Sequence, residues 1–253
     1  MKAPSTESPA GTPAWERGRA IGTAALILML GNLTTSALGF VRQATISHTF
    51  GSNAGTDAFV AASVVPQMFY DLTIGAAVSA ALIPTLTAVF EGQGKGAVAR
   101  TSGAVLGIAW AVLAVVVVGL MLAAHPLMSI LLWAGRNHLH PGELSQSVTL
   151  VRVLLPSLFF LGTSAVLLAT LYSIRRFTVP AFATAFFHLG IIGGAVLLAR
   201  PLGIVALPIG ALVGAALQAL VQVPELIRAG IRPRIKLELA PELRSILKLY
   251  APV

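Results

Sequence analysis

The chain has 253 residues, 56% of them hydrophobic and 10% charged, with a net charge of +8 and a mean hydropathy of +0.86. Soluble domains carry about 25% charge, so lipid rather than water is the expected solvent, and no polar domain is left over to hold a nucleic acid. The absence of cysteine excludes disulfides, thiolate catalysis and cysteine-ligated zinc.

Residues 1–20, MKAPSTESPAGTPAWERGRA, are rich in Pro, Ser, Thr and Gly and are expected to form a disordered cytoplasmic tail. Arg17 and Arg19 ahead of AIGTAALILML imitate a signal peptide, with TTSALG as its cleavage region. The long polar leader and the many apolar runs that follow argue against one. A membrane crossing needs about 20 apolar residues, and six runs qualify, at about 21–47, 57–90, 99–134, 147–173, 178–199 and 202–227. The second is too long for one straight crossing, and Pro66 and Pro84 are its candidate bend points. A seventh run begins within 240–253 and stops there, as a fragment of a longer protein would. The expected organisation is all-α: the tail to residue 20, a six-helix transmembrane lobe over 21–229, and a basic cytoplasmic connector with the start of a seventh helix over 230–253.

Basic residues set orientation. Lys2, Arg17, Arg19, Lys95, Arg100, Arg175, Arg176 and the cluster from Arg228 to Lys248 fall on one side of this arrangement. Arg42, Arg136, Arg152 and Arg200 fall on the other. The richer side, with the N-terminus, is expected in the cytoplasm, and the block IRPRIKLELAPELR is expected to lie on an anionic leaflet. Small residues at Gly103-xxx-Gly107, Gly210-xxx-Gly214 and from Gly75 to Ala81 are read as helix contacts.

Three blocks carry a family resemblance. LGFVRQ at 38–43, the Phe50-Gly51 turn, TDAF at 56–59, Pro66 and the small-residue run ending in Ile83-Pro84 resemble the start of the MviN/MurJ family of lipid II flippases. RRFTVPAFATAFFHLGIIGGAVLLA, 175–199, is similar to that family's RFAVPAFAP…N segment. LPIGALVGAALQALVQVPEL, 207–226, is similar to its G-x-L-x-G…LQ…Q-x-P segment. The resemblance covers about 21–253 and implies one lobe of a two-lobe fold in the superfamily of multidrug, oligosaccharidyl-lipid and polysaccharide exporters. It implies a multi-pass protein of the bacterial cytoplasmic membrane that flips a lipid-linked sugar pyrophosphate by alternating access. No nucleotide motor or other cofactor is expected; an ion gradient or membrane potential would supply the bias. Cell-wall synthesis proteins are the implied partners beyond the bilayer itself. Taken alone, six spans cannot enclose a two-lobe cavity.

The cargo that the resemblance implies has two anionic phosphates, and arginine matches phosphate oxygens with a rigid, permanently charged fork. Arg42 is therefore a candidate anion contact with Asp57 as its support; the alternatives are an Arg42 that snorkels to the headgroups and an Asp57 that, beside Thr56, caps the second helix. The chain departs from the family at Ala37 and Gln43, and at Tyr70-Asp71, where the family carries paired arginines, and Ile74-Gly75, where it carries glutamate-glycine. Asp71 thus puts an acid where a base is expected, as a substrate contact, an ion- or proton-coupling site or a partner of Arg42. The departures leave room for another polyprenyl-linked glycan or a small-molecule cargo, or for a non-transporting membrane scaffold. His188, where the family shows asparagine, is a proton-coupling candidate or a hydrogen-bonded helix contact. Gln218 and Gln222 share a helix face and either line the cavity or fasten helices.

His138 and His140 share a polar loop with no third ligand in sight, so no metal site is expected. EGQGKG lacks the phosphate-loop pattern. No nucleophile has a base and an orienting partner, which speaks against an intramembrane enzyme.

Overall fold

A computed structural model describes residues 14–75, 78–135 and 142–233, and every regular element among them is helical. Helix α1 spans Ala14–Phe50. It begins inside the segment expected to be a tail, because Ala14, Glu16, Arg17, Arg19 and Ala20 are good helix formers with no proline among them. Residues 1–13, the loop with Arg136, His138 and His140, and the expected seventh helix lie outside the described residues. Gly51, at φ 70, ends α1.

Helix α2, Ala54–Phe69, is capped by Asn53, whose side-chain oxygen accepts from the Thr56 amide at 3.1 Å. The cap expected at Thr56-Asp57 is therefore one turn earlier, and Asp57 falls in the first turn, where its charge meets the positive end of the helix dipole. Pro66 withholds one helical donor. One turn later the backbone loosens into π-helix over Tyr70–Gly75 and again over Val78–Leu82. Helix α3, Ile83–Leu122, opens with Pro84 in its first turn and is broken at Gly94 (φ 76) within EGQGKG. Helices α4 (Ala124–Gly135), α5 (Glu143–Leu154) and α6 (Ser157–Ser173) follow, the last two separated by Leu155-Pro156.

The end of α6 closes with two bonds, Arg176 N–H to Leu171 C=O at 2.9 Å and Arg175 N–H to Tyr172 C=O at 3.0 Å. That pattern needs a left-handed residue, usually glycine, and here Arg175 takes it at φ 62. Helix α7, Thr178–Gly193, continues through a π-helical Gly194–Leu198 into α8, Ala199–Leu202. Gly203 (φ 55) reverses the chain into α9, Ala206–Leu220, and α10, Val223–Arg228.

Four continuous stretches are long and apolar enough to cross a membrane: Gly22–Phe50, Ala80–Leu122, Glu143–Ser173 and Thr178–Arg228. The six separate runs read from the sequence do not map one to one onto them. The 51-residue stretch holds the fifth and sixth runs and folds back at Gly203, and the second run is shared among α2, the π-helical segments and the first arm of α3. Phe40, Leu72, Val115, Leu122, Trp133 and Leu197 are each more than 70% exposed. So much large apolar surface turned outward, as it stands in this chain, suits a hydrocarbon solvent. The chain is a multi-pass all-α membrane protein.

Glycine sets the tightest contact. Helices α7 and α9 run antiparallel with Gly190 against Gly214 and Gly194 against Gly210. A Cβ on Gly194 would stand 2.5 Å from the Ala206 carbonyl oxygen, and one on Gly214 2.7 Å from that of Phe187. Helix α1 lies parallel to α7, with Gly31 against Ala181. Between α3 and α6, Trp110 Nε1 donates to Thr163 Oγ1 at 3.0 Å, and its ring lies 5.6 Å from that of Phe159. Ion pairs Glu91–Arg175 (3.5 Å) and Arg176–Glu225 (3.0 Å) gather the connections near 94, 175 and 225 at one end. Asn53, Gln146 and Ile204 meet around Gly55 at the other.

Candidate functional site

A pocket of about 200 Å³ opens among α1, α2, α6, α7 and α9. Arg42, Gln43, Ser63, Gln67 and Ser157 give it polar edges within walls that include Phe59, Leu161 and Phe187. Arg42 reaches it because α1 turns one stripe toward the bundle: Gly31 meets α7, Gly39 faces His188, and Ile46 is buried. Arg42 shares that stripe, about 12 Å from the end of α1 at 1.5 Å per residue. It is half-buried, and its Nε is shielded from solvent without a hydrogen-bond partner. A buried, unmatched charge-bearing donor leaves desolvation uncompensated, so the pocket holds an unmet demand for an acceptor.

His188 stands across from Gly39, its Cε1 and Nε2 each 3.9 Å from where a Cβ on Gly39 would lie. Its ring meets that of Phe187 edge-on at 5.9 Å. Gly39 lies one turn from Arg42 on α1, and the His188 Nδ1 is buried without a partner. The hydrogen-bonded helix contact considered for His188 is therefore absent at that nitrogen. The fold places two orphaned nitrogens, one on α1 and one on α7, at neighbouring positions.

Asp71 does not pair with Arg42. It is exposed in the π-helical segment after α2, and both its oxygens accept from Gln67 Nε2 at 3.0 Å. Gln67, a pocket residue, was not singled out in the sequence; its signal was the i,i+4 spacing from an intramembrane acid. Asp57, in the first turn of α2, stands outside the pocket lining.

Gln218 and Gln222 also lie off the pocket. Gln218 shares the α9 face that carries Ala211 at the pocket wall but sits two turns nearer the opposite end, and Gln222 lies just beyond it, in the turn between α9 and α10. Gln222 is fully buried and donates from Nε2 to Ser164 Oγ at 2.6 Å and to the Gln218 carbonyl at 2.9 Å. Gln222 thus fastens the end of α9 to α6, while the Gln218 side chain is buried with its Oε1 unpartnered, away from this pocket. Of the candidate substrate contacts, Arg42 alone lines the pocket, with Asp71 at its margin through Gln67.

A family profile described as lipid II flippase MurJ matches residues 46–253. The lipid II flippase MurJ of Burkholderia cenocepacia is 30% identical over 217 residues, 84% of this chain and 42% of that protein. The probable lipid II flippase MurJ of Haemophilus influenzae is 28% identical over 232 residues, 87% of this chain and 45% of that protein. Among solved structures, a lipid II flippase MurJ in an inward closed conformation superposes with a TM-score of 0.65 at 15% identity, covering 88% of this chain and 46% of that one. The chain thus spans less than half the length of the curated relatives it matches.

Proposed function

The chain belongs to the lipid II flippase MurJ family, and from that premise we propose that it contributes one lobe of a flippase that carries a lipid-linked sugar pyrophosphate across the bacterial cytoplasmic membrane. The observation that carries this reading is Arg42, a half-buried arginine with an orphaned nitrogen in a pocket walled by apolar helices. Moving a pyrophosphate through hydrocarbon unaided is prohibitive, and a guanidinium supplies the fork that phosphate oxygens fit. Charged groups inside a membrane face protein or water and mark pathways.

The lobe is read as six crossings with the N-terminus in the cytoplasm. Reversals at Gly94 and near Arg175 fall at the end tied by the Glu91–Arg175 and Arg176–Glu225 pairs. Those at Gly51 and Gly203 fall at the other. Among the described residues most of the basic ones lie at the first end, which the positive-inside rule puts in the cytoplasm. With a second lobe, rocking about the pocket exchanges its access between sides, biased by an ion gradient or the membrane potential without a cofactor. Asp71 and His188 are the candidate coupling groups, since an acid bonded to the pocket residue Gln67 and an imidazole facing Gly39, one turn from Arg42, both answer to charge arriving in the pocket.

The test is precursor translocation in cells depleted of their own lipid II flippase, by a protein that carries this lobe together with a second. Arg42→Ala is expected to abolish complementation at unchanged expression, and Arg42→Lys to retain part of it. Translocation by Arg42→Ala at the wild-type rate would remove Arg42 from the cargo path.

A second reading keeps the transport and changes the cargo. The Gln67–Asp71 pair puts an acid at the pocket margin, which repels a pyrophosphate and favours a less anionic polyprenyl-linked glycan. Failure of the wild-type protein to complement, with Arg42 still required for another lipid-linked glycan, would select it.

A further inference from the structure

Helices α1 and α7 touch closely at Gly31–Ala181 and splay apart toward the end that carries Gly51 and Gly203. The splay leaves a groove of about 750 Å³ on the outer surface, on the side of α1 away from the pocket. Phe40 and Val41 form one wall and Val196, in the π-helical stretch, the other, with Ala44, Ala195 and Ala199 between them. Phe40 is 76% exposed and Val196 63%, so hydrocarbon has direct access. His48 and Arg200 stand at the mouth, each three residues before the turn glycine that ends its segment, Gly51 and Gly203. No acid lines the groove, and Arg200 has no ion pair among the described residues.

We propose that this groove seats an anionic membrane phospholipid, with its phosphate against Arg200 and His48 and an acyl chain along Phe40, Val41 and Val196. Charge complementarity selects the occupant. A mainly apolar trough, with Thr45 and Thr49 toward its mouth, that ends in one permanent cation at the headgroup level matches one phosphodiester on a greasy chain. A pyrophosphate, with its second charge, is less well matched by that single guanidinium. The inference rests on membrane embedding and not on the flippase reading. It has a mechanical consequence: α1 rests mainly on α7 and its π-helical continuation, so a lipid in the splay steadies the helix that carries Arg42.

The chain has no cysteine, so a single label reports one place. The protein carrying Val196→Cys is labelled with a bimane and reconstituted in phosphatidylcholine vesicles, with bromine-substituted phosphatidylglycerol or phosphatidylcholine as the quencher. Val115→Cys on the outer face of α3, 74% exposed, is the control. Quenching at position 196 is expected to favour phosphatidylglycerol by about tenfold, one charge-assisted contact's worth, with no preference at position 115. Arg200→Gln is expected to remove the preference, and His48→Gln to weaken it. Arg42→Ala is expected to leave it intact, which separates this result from any failure of the flippase reading. Equal quenching by the two lipids at position 196, or a preference that survives Arg200→Gln, overturns the proposal. So does relief of quenching by an added polyprenyl pyrophosphate, which would assign the groove to the cargo's own tail.

Discussion

The Gly190–Gly214 contact invites a direct experiment, because two glycines three residues apart on α7 make opposite predictions. At Gly190 a Cβ would overlap the Gly214 Cα and stand 2.5 Å from both the Gly210 carbonyl oxygen and the Gly214 nitrogen. Carbon contacts settle at about 3.5–4.0 Å, so α9 would have to recede by about 1 Å. The obstacles are backbone atoms, and no rotamer change relieves them. Opening a packed interface by that much forfeits up to about half of each contact's attraction, and overpacking costs about 1–3 kcal/mol. Alanine returns about 0.8–1.0 kcal/mol of helix propensity, which leaves a net loss of up to about 2 kcal/mol. At Gly193 nothing lies within 4 Å, so alanine there meets no obstacle and keeps the propensity gain. The propensity gain is common to both, so the two variants should differ by the overpacking cost, about 1–3 kcal/mol. At about 2–4 °C per kcal/mol, that separates their unfolding midpoints by about 2–12 °C. Thermal unfolding of the detergent-solubilised protein, followed by intrinsic fluorescence, measures it. If Gly190→Ala melts with or above Gly193→Ala, the claim that α7 and α9 meet backbone to backbone is wrong.

Two further outcomes follow from local geometry. Arg175→Gly should raise stability by about 1 kcal/mol, because the left-handed conformation costs a side-chain-bearing residue about 1–2 kcal/mol and the Glu91 pair lost with it is exposed at both partners and weak. A destabilised variant in the same thermal assay would show that the pair outweighs the strain. Gln222→Ala should cost about 1 kcal/mol by cutting the bond to Ser164, in line with about 0.6–2 kcal/mol for hydrogen bonds between membrane helices, while precursor translocation per folded molecule stays at the wild-type level. A fall in translocation at unchanged stability would return Gln222 to the cargo path.

Much of the fold was legible in the residues. Pro66, Gly94 and Gly203 interrupt apolar runs with backbone chemistry that acts locally: a missing donor in one case, positive φ in the others. Arg42 stood out because a charge among apolar residues is costly wherever the chain goes. Asn53 was missed as a cap because Thr56 and Asp57, three and four residues on, are equally good capping types, and only backbone geometry decides among them. Gln67 was missed because its partner, Asp71, was weighed against Arg42 across the bundle and not against its own helix. For Gln218 and Gln222 the sequence left helix fastening and cavity lining both open, since helical periodicity gives an angle and says nothing of where a pocket stops; the bond from Gln222 to Ser164 is of the fastening kind.

What the sequence determined by itself was the solvent, the family, the places where helices break and the end at which the cations collect. Each of these follows from a residue's own chemistry, or its neighbours', in lipid. What only the tertiary structure decided was which groups meet: Gly39 with His188, Asp71 with Gln67, Gln222 with Ser164. In water a helix announces its inward face by being apolar on that side alone. In a membrane the lipid and the protein interior are equally apolar, so these helices are greasy all round, and the inward side is set by where glycines such as Gly31, Gly190 and Gly214 let backbones touch.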